Sequence, residues 1–132
     1  MSKLCAVLAL KYDLGYKPRK AYQAGDKETL KELLENYKLA EKKVEAFYQA
    51  FRTLWYTENK ACGFEVQEQR LGGLKLRLRS CYDRLNDYLS GKIDSIPELE
   101  EKLLDYYGKG EEFTEGAIGF NVWSTNVSAN IV

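Results

Sequence analysis

The sequence predicts an all-α protein, an antiparallel helical bundle with two long helices, shorter flanking helices and an extended C-terminal tail. Two observations support this prediction. Apolar residues recur at helical spacing through two long segments, 27–57 and 66–90. After Gly108 the composition changes to glycine, acidic residues and then β-branched residues, which favours an extended chain.

The first long helix has the most regular pattern. Leu30, Tyr37, Val44 and Phe51 recur every seven residues, and Asp26 precedes the segment as an N-cap. A second row and its neighbours widen the apolar stripe: Leu33, Leu34, Ala40, Phe47, Tyr48, Leu54 and Trp55. A stripe this broad indicates neighbouring helices on more than one side, as in a bundle.

Two shorter helices are predicted before it. The first covers 2–14, with Ser2 as its N-cap and Gly15 at its C-terminal end. The second covers 18–24, begins with Pro18 and ends before Gly25. The buried stripe of the first helix is expected to contain Leu4, Val7, Leu8 and Lys11.

The second long helix is predicted to end before Gly91. Residues 74–79 alternate as a strand would, but the longer pattern favours a helix. Its buried side chains are expected to be Leu71, Leu74, Leu78, Cys81, Tyr82, Leu85, Tyr88 and Leu89.

A capping box, Ser95-Ile96-Pro97-Glu98, predicts a last helix that continues to about Tyr107. Its buried side chains are expected to be Leu99, Leu103, Leu104 and Tyr106. In the extended tail that follows, Trp123 is the expected anchor.

Length and charge limit the classes of function. A chain of 132 residues is most simply one domain, 1–132, with enough apolar surface for its own core. Lys plus Arg equals Asp plus Glu, at 20 each, which argues against nucleic-acid binding. The ends differ: 1–20 carries five basic groups and one acid, whereas 93–132 carries eight acids and two basic groups. Solvated faces explain this asymmetry, and an oppositely charged partner would also fit it.

Cysteine and histidine usage limits the chemistry. Cys5, Cys62 and Cys81 are an odd number without CxxC spacing, so a reducing, cytoplasmic setting fits best. The apolar run at the N-terminus is too short to cross a membrane, so no membrane partner is expected. Histidine is absent, which excludes His-based triads and His metal ligands. We expect neither a metal nor a cofactor.

The segment between the two long helices holds more residue variety than a helix connection requires. Trp55, Lys60, Gly63 and Phe64 fall within ten positions, and a glycine pair, 72–73, follows inside the next helical pattern. Ordinary connections contain a few small polar residues. We therefore look for function in this segment.

Several ordered segments carry a family resemblance: 8–15, Arg19-Lys20-Ala21-Tyr22, 47–52, 55–74, Arg77, 81–88, 94–100 and Ser128-Ala129-Asn130-Ile131-Val132. Together they resemble the C-terminal helical domain of bacterial family 20 glycoside hydrolases, the β-N-acetylhexosaminidases. The resemblance implies an accessory domain of a larger glycosidase that removes terminal N-acetylglucosamine or N-acetylgalactosamine. It also implies that the catalytic Asp-Glu pair lies on a separate barrel, and no Asp-Glu dipeptide occurs in this chain.

The resemblance therefore predicts no catalytic residue here. It predicts a non-catalytic domain that packs on the catalytic barrel of the parent enzyme or on a second subunit. The alternative hypothesis is a free-standing helical adaptor that binds a partner helix along its broad apolar stripe.

The candidate site residues are expected to project from one end of the bundle or to receive a partner: Trp55, Glu58, Asn59, Lys60, Phe64, Arg70, Gly72 and Gly73. A protein interface, internal capping of the helix hairpin and contact with sugar all fit this set, and we favour the interface. For Gly72 and Gly73 we expect tight packing against the first long helix, with a groove for the barrel or a second protomer as the alternative.

Overall fold

The structure, a computed structural model, describes residues 2–101. Five helices make up this part of the chain: α1 (Ser2–Lys11), α2 (Tyr16–Gln23), α3 (Lys27–Glu58), α4 (Phe64–Leu89) and α5 (Pro97–Glu100). No strand occurs among these residues, and 74–79 is helical. The all-α prediction is confirmed. The predicted extension of α5 to Tyr107 and the extended tail with Trp123 lie outside the described residues.

The two long helices form an antiparallel hairpin, as predicted. α3 has 32 residues and is about 48 Å long. Three side-chain pairs connect it to α4: Tyr48 with Glu68 at 2.9 Å, Glu45 with Lys75 at 2.7 Å, and Glu41 with Arg79 at 2.9 Å. As the α3 number falls the α4 number rises, which shows the antiparallel direction. Exposed pairs of this kind contribute less than about 1 kcal/mol each, so they set register more than stability.

The core follows the predicted stripe of α3 as far as Val44, whereas Leu54 of the same stripe is 52% exposed. The buried side chains of this helix are Leu30, Leu33, Leu34, Tyr37, Ala40 and Val44. Three elements, α1, α2 and α4, contact α3. The broad stripe therefore has neighbours on more than one side, as its width predicted.

Tyr37 joins the core to the turn that connects α1 and α2. Its hydroxyl donates a hydrogen bond to the Leu14 carbonyl at 2.6 Å. Both residues are buried, and a buried tyrosine hydroxyl ordinarily finds such a partner. Burial raises the pKa of Tyr37 well above its usual range.

The predicted buried stripe of α1 is wrong in part. Val7 is buried, but Leu4 and Leu8 are 36% and 51% exposed, and Lys11 is exposed. Val7 and the turn residue Leu14 face the core instead. Apolar residues lie on all sides of this helix, so the sequence pattern does not select the face that is buried.

Helix ends differ from the predictions by a few residues. α1 ends at Lys11 rather than near Leu14, and Gly15 has an ordinary negative φ of −85°. Gly25 and Gly91, in contrast, have left-handed φ values of +68° and +75°. Because the left-handed region strongly favours glycine, these two residues end α2 and α4 as predicted.

Arg19 and Tyr22 of α2 hold α5 in place. The Arg19 guanidinium donates to the backbone carbonyls of Glu98 and Leu99, at 2.7 and 3.0 Å, and also to that of Glu101. The Tyr22 hydroxyl accepts from the Ile96 N–H at 2.9 Å and donates to a side chain in α5 at 2.6 Å. Two segments that carry the family resemblance therefore bind each other.

The capping box predicted at Ser95 and Glu98 does not form. Ile96 is the N-cap of α5, and no side chain caps it. Glu98 instead accepts a hydrogen bond from Arg84 at 3.1 Å. The guanidinium is a charged donor that competes with the backbone N–H for the same carboxylate.

Candidate functional site

The connection between α3 and α4 is closed by local hydrogen bonds. The Asn59 N–H donates to the Trp55 carbonyl at 2.7 Å, and the Trp55 indole N–H donates to the Lys60 carbonyl at 2.9 Å. Gly63 has a left-handed φ of +95° and directs the chain into α4. Its N–H donates to the Glu65 carboxylate at 2.8 Å. These bonds satisfy backbone groups that helix ends otherwise leave without partners.

Phe64, the first residue of α4, is the centre of an aromatic cluster. It is 1% exposed. Four rings of α3 surround it at centroid distances of 5.4 to 6.0 Å: Tyr56, Trp55, Phe51 and Tyr48. Such aromatic pairs contribute about 0.5–1.5 kcal/mol each beyond the buried area. We call these five residues the tip cluster.

The predicted site residues therefore separate into two groups. Phe64 is buried, so the expectation that it projects from the bundle is wrong, and Trp55 is half-buried beside it. These two aromatic residues close the hairpin internally. The polar candidates and the glycine pair are exposed: Glu58, Asn59, Lys60, Arg70, Gly72 and Gly73.

Gly72 and Gly73 lie in the interior of α4 with open space around them. A Cβ atom built on either residue meets nothing within 4 Å in the described part of the chain. The expectation that they pack tightly against the first long helix is therefore wrong. The helix-to-helix contact is centred on the side of α4 that buries Leu78 and Leu85. Gly72 lies at the margin of that contact and lines an open groove of about 270 Å³ with side chains of α3.

Helical spacing gathers the exposed residues of α4 on one side. Arg70, Gly73 and Arg77 follow each other at three and four residues, as do Gly72 and Leu76. Leu76 is 70% exposed. We call these five residues the outer face of α4. Gly72 and Arg77 lie at its two edges, since Gly72 also lines a groove with α3 and Arg77 also lines a cavity with α5. Neither arginine forms an ion pair with another residue in the described part of the chain.

Sequence reasoning assigned no exposed role to Leu76. The signal was present, because Leu76 follows Gly72 by four residues and so lies on the same side of a helix. The strand-like alternation of 74–79 hid it, since alternation gives no information about helical faces.

A groove of about 540 Å³ runs between α3 and α4, and both of the carboxylates that α3 contributes to it form ion pairs with α4. Lys75 binds Glu45, and Arg79 binds Glu41. Hydrogen bonds from Gln49 and Lys75 lower the pKa of Glu45 below its usual value. At the next position toward the tip, the hydrogen bond to Glu68 raises the pKa of Tyr48. Within residues 2–101, no three Cys, Asp or Glu side chains group as a metal site would require.

The fold and the outer face of α4 define the class of this protein: a helical bundle whose core lies along α3 from Leu30 to Val44 and whose α4 presents an exposed side. A comparison with models of known protein families gives a more specific assignment. Residues 1–119 match the family model described as the Glycoside Hydrolase 20C C-terminal domain, and the chain belongs to that family. This C-terminal region is non-catalytic by itself.

The match confirms the resemblance that the ordered segments indicated. Among curated proteins, no match was found. Within the described helices, none is both long enough and apolar enough to cross a membrane.

Proposed function

We propose that this chain is the non-catalytic C-terminal domain of a bacterial β-N-acetylhexosaminidase and that it packs through the outer face of α4 on the catalytic barrel or on a second subunit. The parent enzyme would remove terminal N-acetylglucosamine or N-acetylgalactosamine. The family match supports the glycoside hydrolase context. The substrate follows from the resemblance of the ordered segments.

The glycine pair is the observation that carries the proposed interface. A glycine in a helix interior costs about 1 kcal/mol relative to alanine. Gly72 and Gly73 each carry this cost. Nothing in the described part of the chain occupies the space that a side chain would fill at either position. Close approach of another backbone to α4 would use that space and offset the cost.

The neighbours of the glycine pair suit a protein surface. Arginine is enriched at interfaces because its planar guanidinium binds carboxylates and carbonyls with several hydrogen bonds at once. Arg70 and Arg77 border the glycines, and Leu76 adds an exposed apolar side chain. An exposed, partly apolar area that two arginines border fits a folded partner.

The adaptor alternative loses most of the surface on which it depended. The apolar stripe of α3 is buried from Leu30 to Val44, where the bundle core forms, so a partner helix would find only its C-terminal part, such as Leu54, exposed. The DNA that precedes codon 1 separates the two hypotheses. A reading frame that encodes a barrel with an Asp-Glu pair supports the glycosidase, and a stop codon favours an adaptor.

The interface is tested by Gly73→Leu in the 132-residue chain and in the parent enzyme. In the chain alone, leucine has open space and a better helix propensity, so the free energy of unfolding should rise by up to about 1 kcal/mol. In the parent, the added side chain would enter the interface and lower both Tm and hydrolysis of an aryl N-acetylglucosaminide.

Ala46→Leu is the matched control, because it adds a leucine to an exposed position of α3. It should leave the parent unchanged. A parent enzyme that tolerates Gly73→Leu as well as Ala46→Leu would exclude the outer face of α4 from the interface.

The non-catalytic assignment has its own test. The isolated chain should not hydrolyse an aryl N-acetylglucosaminide, because family 20 chemistry needs paired carboxylates that this chain does not provide as an Asp-Glu dipeptide. Turnover that follows the folded protein through repeated purification would contradict the assignment.

A further inference from the structure

A cavity of about 90 Å³ lies where α2, α3, α4 and the α5 region meet. Tyr37 of α3 and Cys81 of α4 line it, and the α5 region lines it with Ile96, Glu98 and Leu99. We call residues 96–101 the lid. If the lid moved away, its side of the cavity would open to solvent.

The lid cannot hold its position by its own structure. Its helix, α5, has four residues, and a single helical turn is unstable in isolation. Polar contacts with α2 fix it instead. Arg19 donates to three of its carbonyls, and the Tyr22 hydroxyl accepts from the Ile96 N–H at 2.9 Å. The position of the lid therefore depends on side chains of α2.

Few apolar side chains of the lid are buried. Ile96 is 3% exposed and Leu99 is half-buried, whereas Pro97, Glu98 and Glu100 are exposed. Several of the hydrogen bonds to α2 are exposed as well. Segments with few buried apolar contacts and exposed hydrogen bonds open at a lower free energy than the core. We therefore expect the lid to open before the bundle unfolds.

The chain between α4 and the lid permits such a movement. Lys92 stays on α4, since its N–H donates to the Asp87 carbonyl at 2.9 Å and its ammonium binds the Asp87 carboxylate at 3.0 Å. Ile93 packs on the core. The next two residues, Asp94 and Ser95, are exposed. Rotation of the backbone at these two residues would move the lid without moving α4.

We propose that the lid opens as a unit in a local transition that leaves α1 to α4 folded, and that Arg19 is the residue that holds it closed. Opening withdraws Ile96 and Leu99 from the cavity, separates the Glu98 carboxylate from α4 and gives solvent access to Cys81. The transition is a property of this chain. It depends neither on the glycosidase assignment nor on the interface proposed for α4.

Cys81 reports whether the lid is open. Burial raises the pKa of its thiol, the Arg77 guanidinium lowers that pKa, and the Glu98 carboxylate raises it. Opening removes Glu98 and part of the burial, whereas Arg77 stays on α4. The thiol of the open state is therefore more accessible and ionises more readily, and the thiolate is the form that alkylating reagents react with.

The experiment follows two rates in the 132-residue chain by mass spectrometry: alkylation of Cys81, and hydrogen exchange in peptides that cover 96–101. Urea is raised in steps below the unfolding transition. Local opening exposes little surface, so both rates should depend weakly on urea, whereas hydrogen exchange in the buried part of α3 should rise steeply. If both rates rose as steeply as exchange in α3, only global unfolding would release the lid, and the proposal would be overturned.

Arg19→Leu tests the residue that holds the lid. The loss of three hydrogen bonds should raise both rates about tenfold or more, while far-UV circular dichroism retains the helical signal of the bundle. Lys20→Leu is the matched control, because Lys20 lies on the same helix with its ammonium 4.6 Å from the centre of the Tyr16 ring. It should leave both rates unchanged. Unchanged rates in Arg19→Leu, or equal increases in the two variants, overturn the proposal.

Tyr22→Phe is a milder variant for the case that Arg19→Leu does not fold. It removes one hydroxyl and keeps the ring, which packs on Tyr88 with the ring centres 5.0 Å apart. Both rates should rise about threefold, since the Arg19 contacts remain. Cys5 and Cys62 are exposed already and should keep their alkylation rates in every variant. Rates in Tyr22→Phe that equal those of the unmodified chain would overturn the role of the α2 contacts.

Discussion

The tip cluster and the outer face of α4 are neighbours in sequence, yet they differ in what completes them. At the tip, Phe64 is 1% exposed and four aromatic rings enclose it. Two turns further along α4, Gly72 and Gly73 have no neighbour within 4 Å of a built Cβ. The tip is finished by this chain alone, whereas the outer face has the composition of a surface that meets another protein.

The comparison separates two reasons for an unusual sequence. Residues of the tip are distinctive because they fold the hairpin, and their effects should appear in the isolated chain. Under the proposed interface, residues of the outer face are distinctive for a contact outside the chain, so the loss of that contact should appear only in the parent enzyme. Substitutions on both sides of this boundary test the distinction.

The largest effect should come from Phe64→Ala. Removing this buried ring leaves a cavity among four aromatic side chains, so the free energy of unfolding should fall by about 3–5 kcal/mol. Denaturant melts of the 132-residue chain measure the loss. Phe64→Leu, which keeps much of the apolar volume, should lose less than about 1.5 kcal/mol. Equal losses for both substitutions would show that the ring is not what the tip requires.

Gly63→Ala should destabilise the same chain by about 1–2 kcal/mol, since an L-residue pays that penalty in the left-handed region. The added Cβ itself has room, because its nearest neighbour, a Trp55 ring carbon, is 3.6 Å away. Gly15→Ala is the control, with a negative φ and open space. If thermal melts gave both variants the same Tm, backbone strain at Gly63 would not explain why the tip requires a glycine.

Gly72→Ala should do the reverse of Gly63→Ala and stabilise the isolated chain by about 0.5–1 kcal/mol through helix propensity. Both residues belong to the same distinctive segment, so opposite signs would mark the boundary between tip and outer face. Chemical denaturation of each variant gives the sign. A loss of stability in Gly72→Ala would mean that the chain itself uses the space above this glycine.

The smallest effect in the isolated chain should belong to Arg70→Ala. The residue is exposed, and surface changes ordinarily remain within about 0.5 kcal/mol. In the parent enzyme the same substitution should lower activity or Tm, because a multidentate guanidinium contact would be lost. Melts of the chain and kinetics of the parent form the pair of measurements. If the isolated chain lost more than about 1 kcal/mol of unfolding free energy, Arg70 would be a residue that stabilises the fold rather than one that serves the outer face.

The sequence predicted long elements better than short ones. α3 repeats its apolar positions every seven residues over many turns, so its buried face was predictable. α1 was not, since apolar residues on all its sides leave the choice of face to tertiary contacts. The capping box at Ser95 failed because Arg84, distant in sequence, binds the Glu98 carboxylate.

The same limit applies to the candidate site. The segment was identified by its residue types, but residue type does not tell which aromatic side chains are buried. The left-handed turn at Gly63 positions Phe64 under the rings of α3, and that φ value is visible only in the structure. The relative positions of Arg70 and the glycine pair could be predicted from helical spacing alone, because all three residues lie in one uninterrupted helix.

The contacts of Arg19 affect how many amino-acid substitutions the end of α5 tolerates. Its guanidinium binds three carbonyl oxygens of the main chain, and every amino acid offers that group. This part of the hold on 98–101 therefore does not depend on which side chains the stretch carries. A single substitution at position 19 would remove three contacts at once, whereas a substitution of Glu98 or Glu100 would remove only the contact of that side chain with Arg84 or Tyr22.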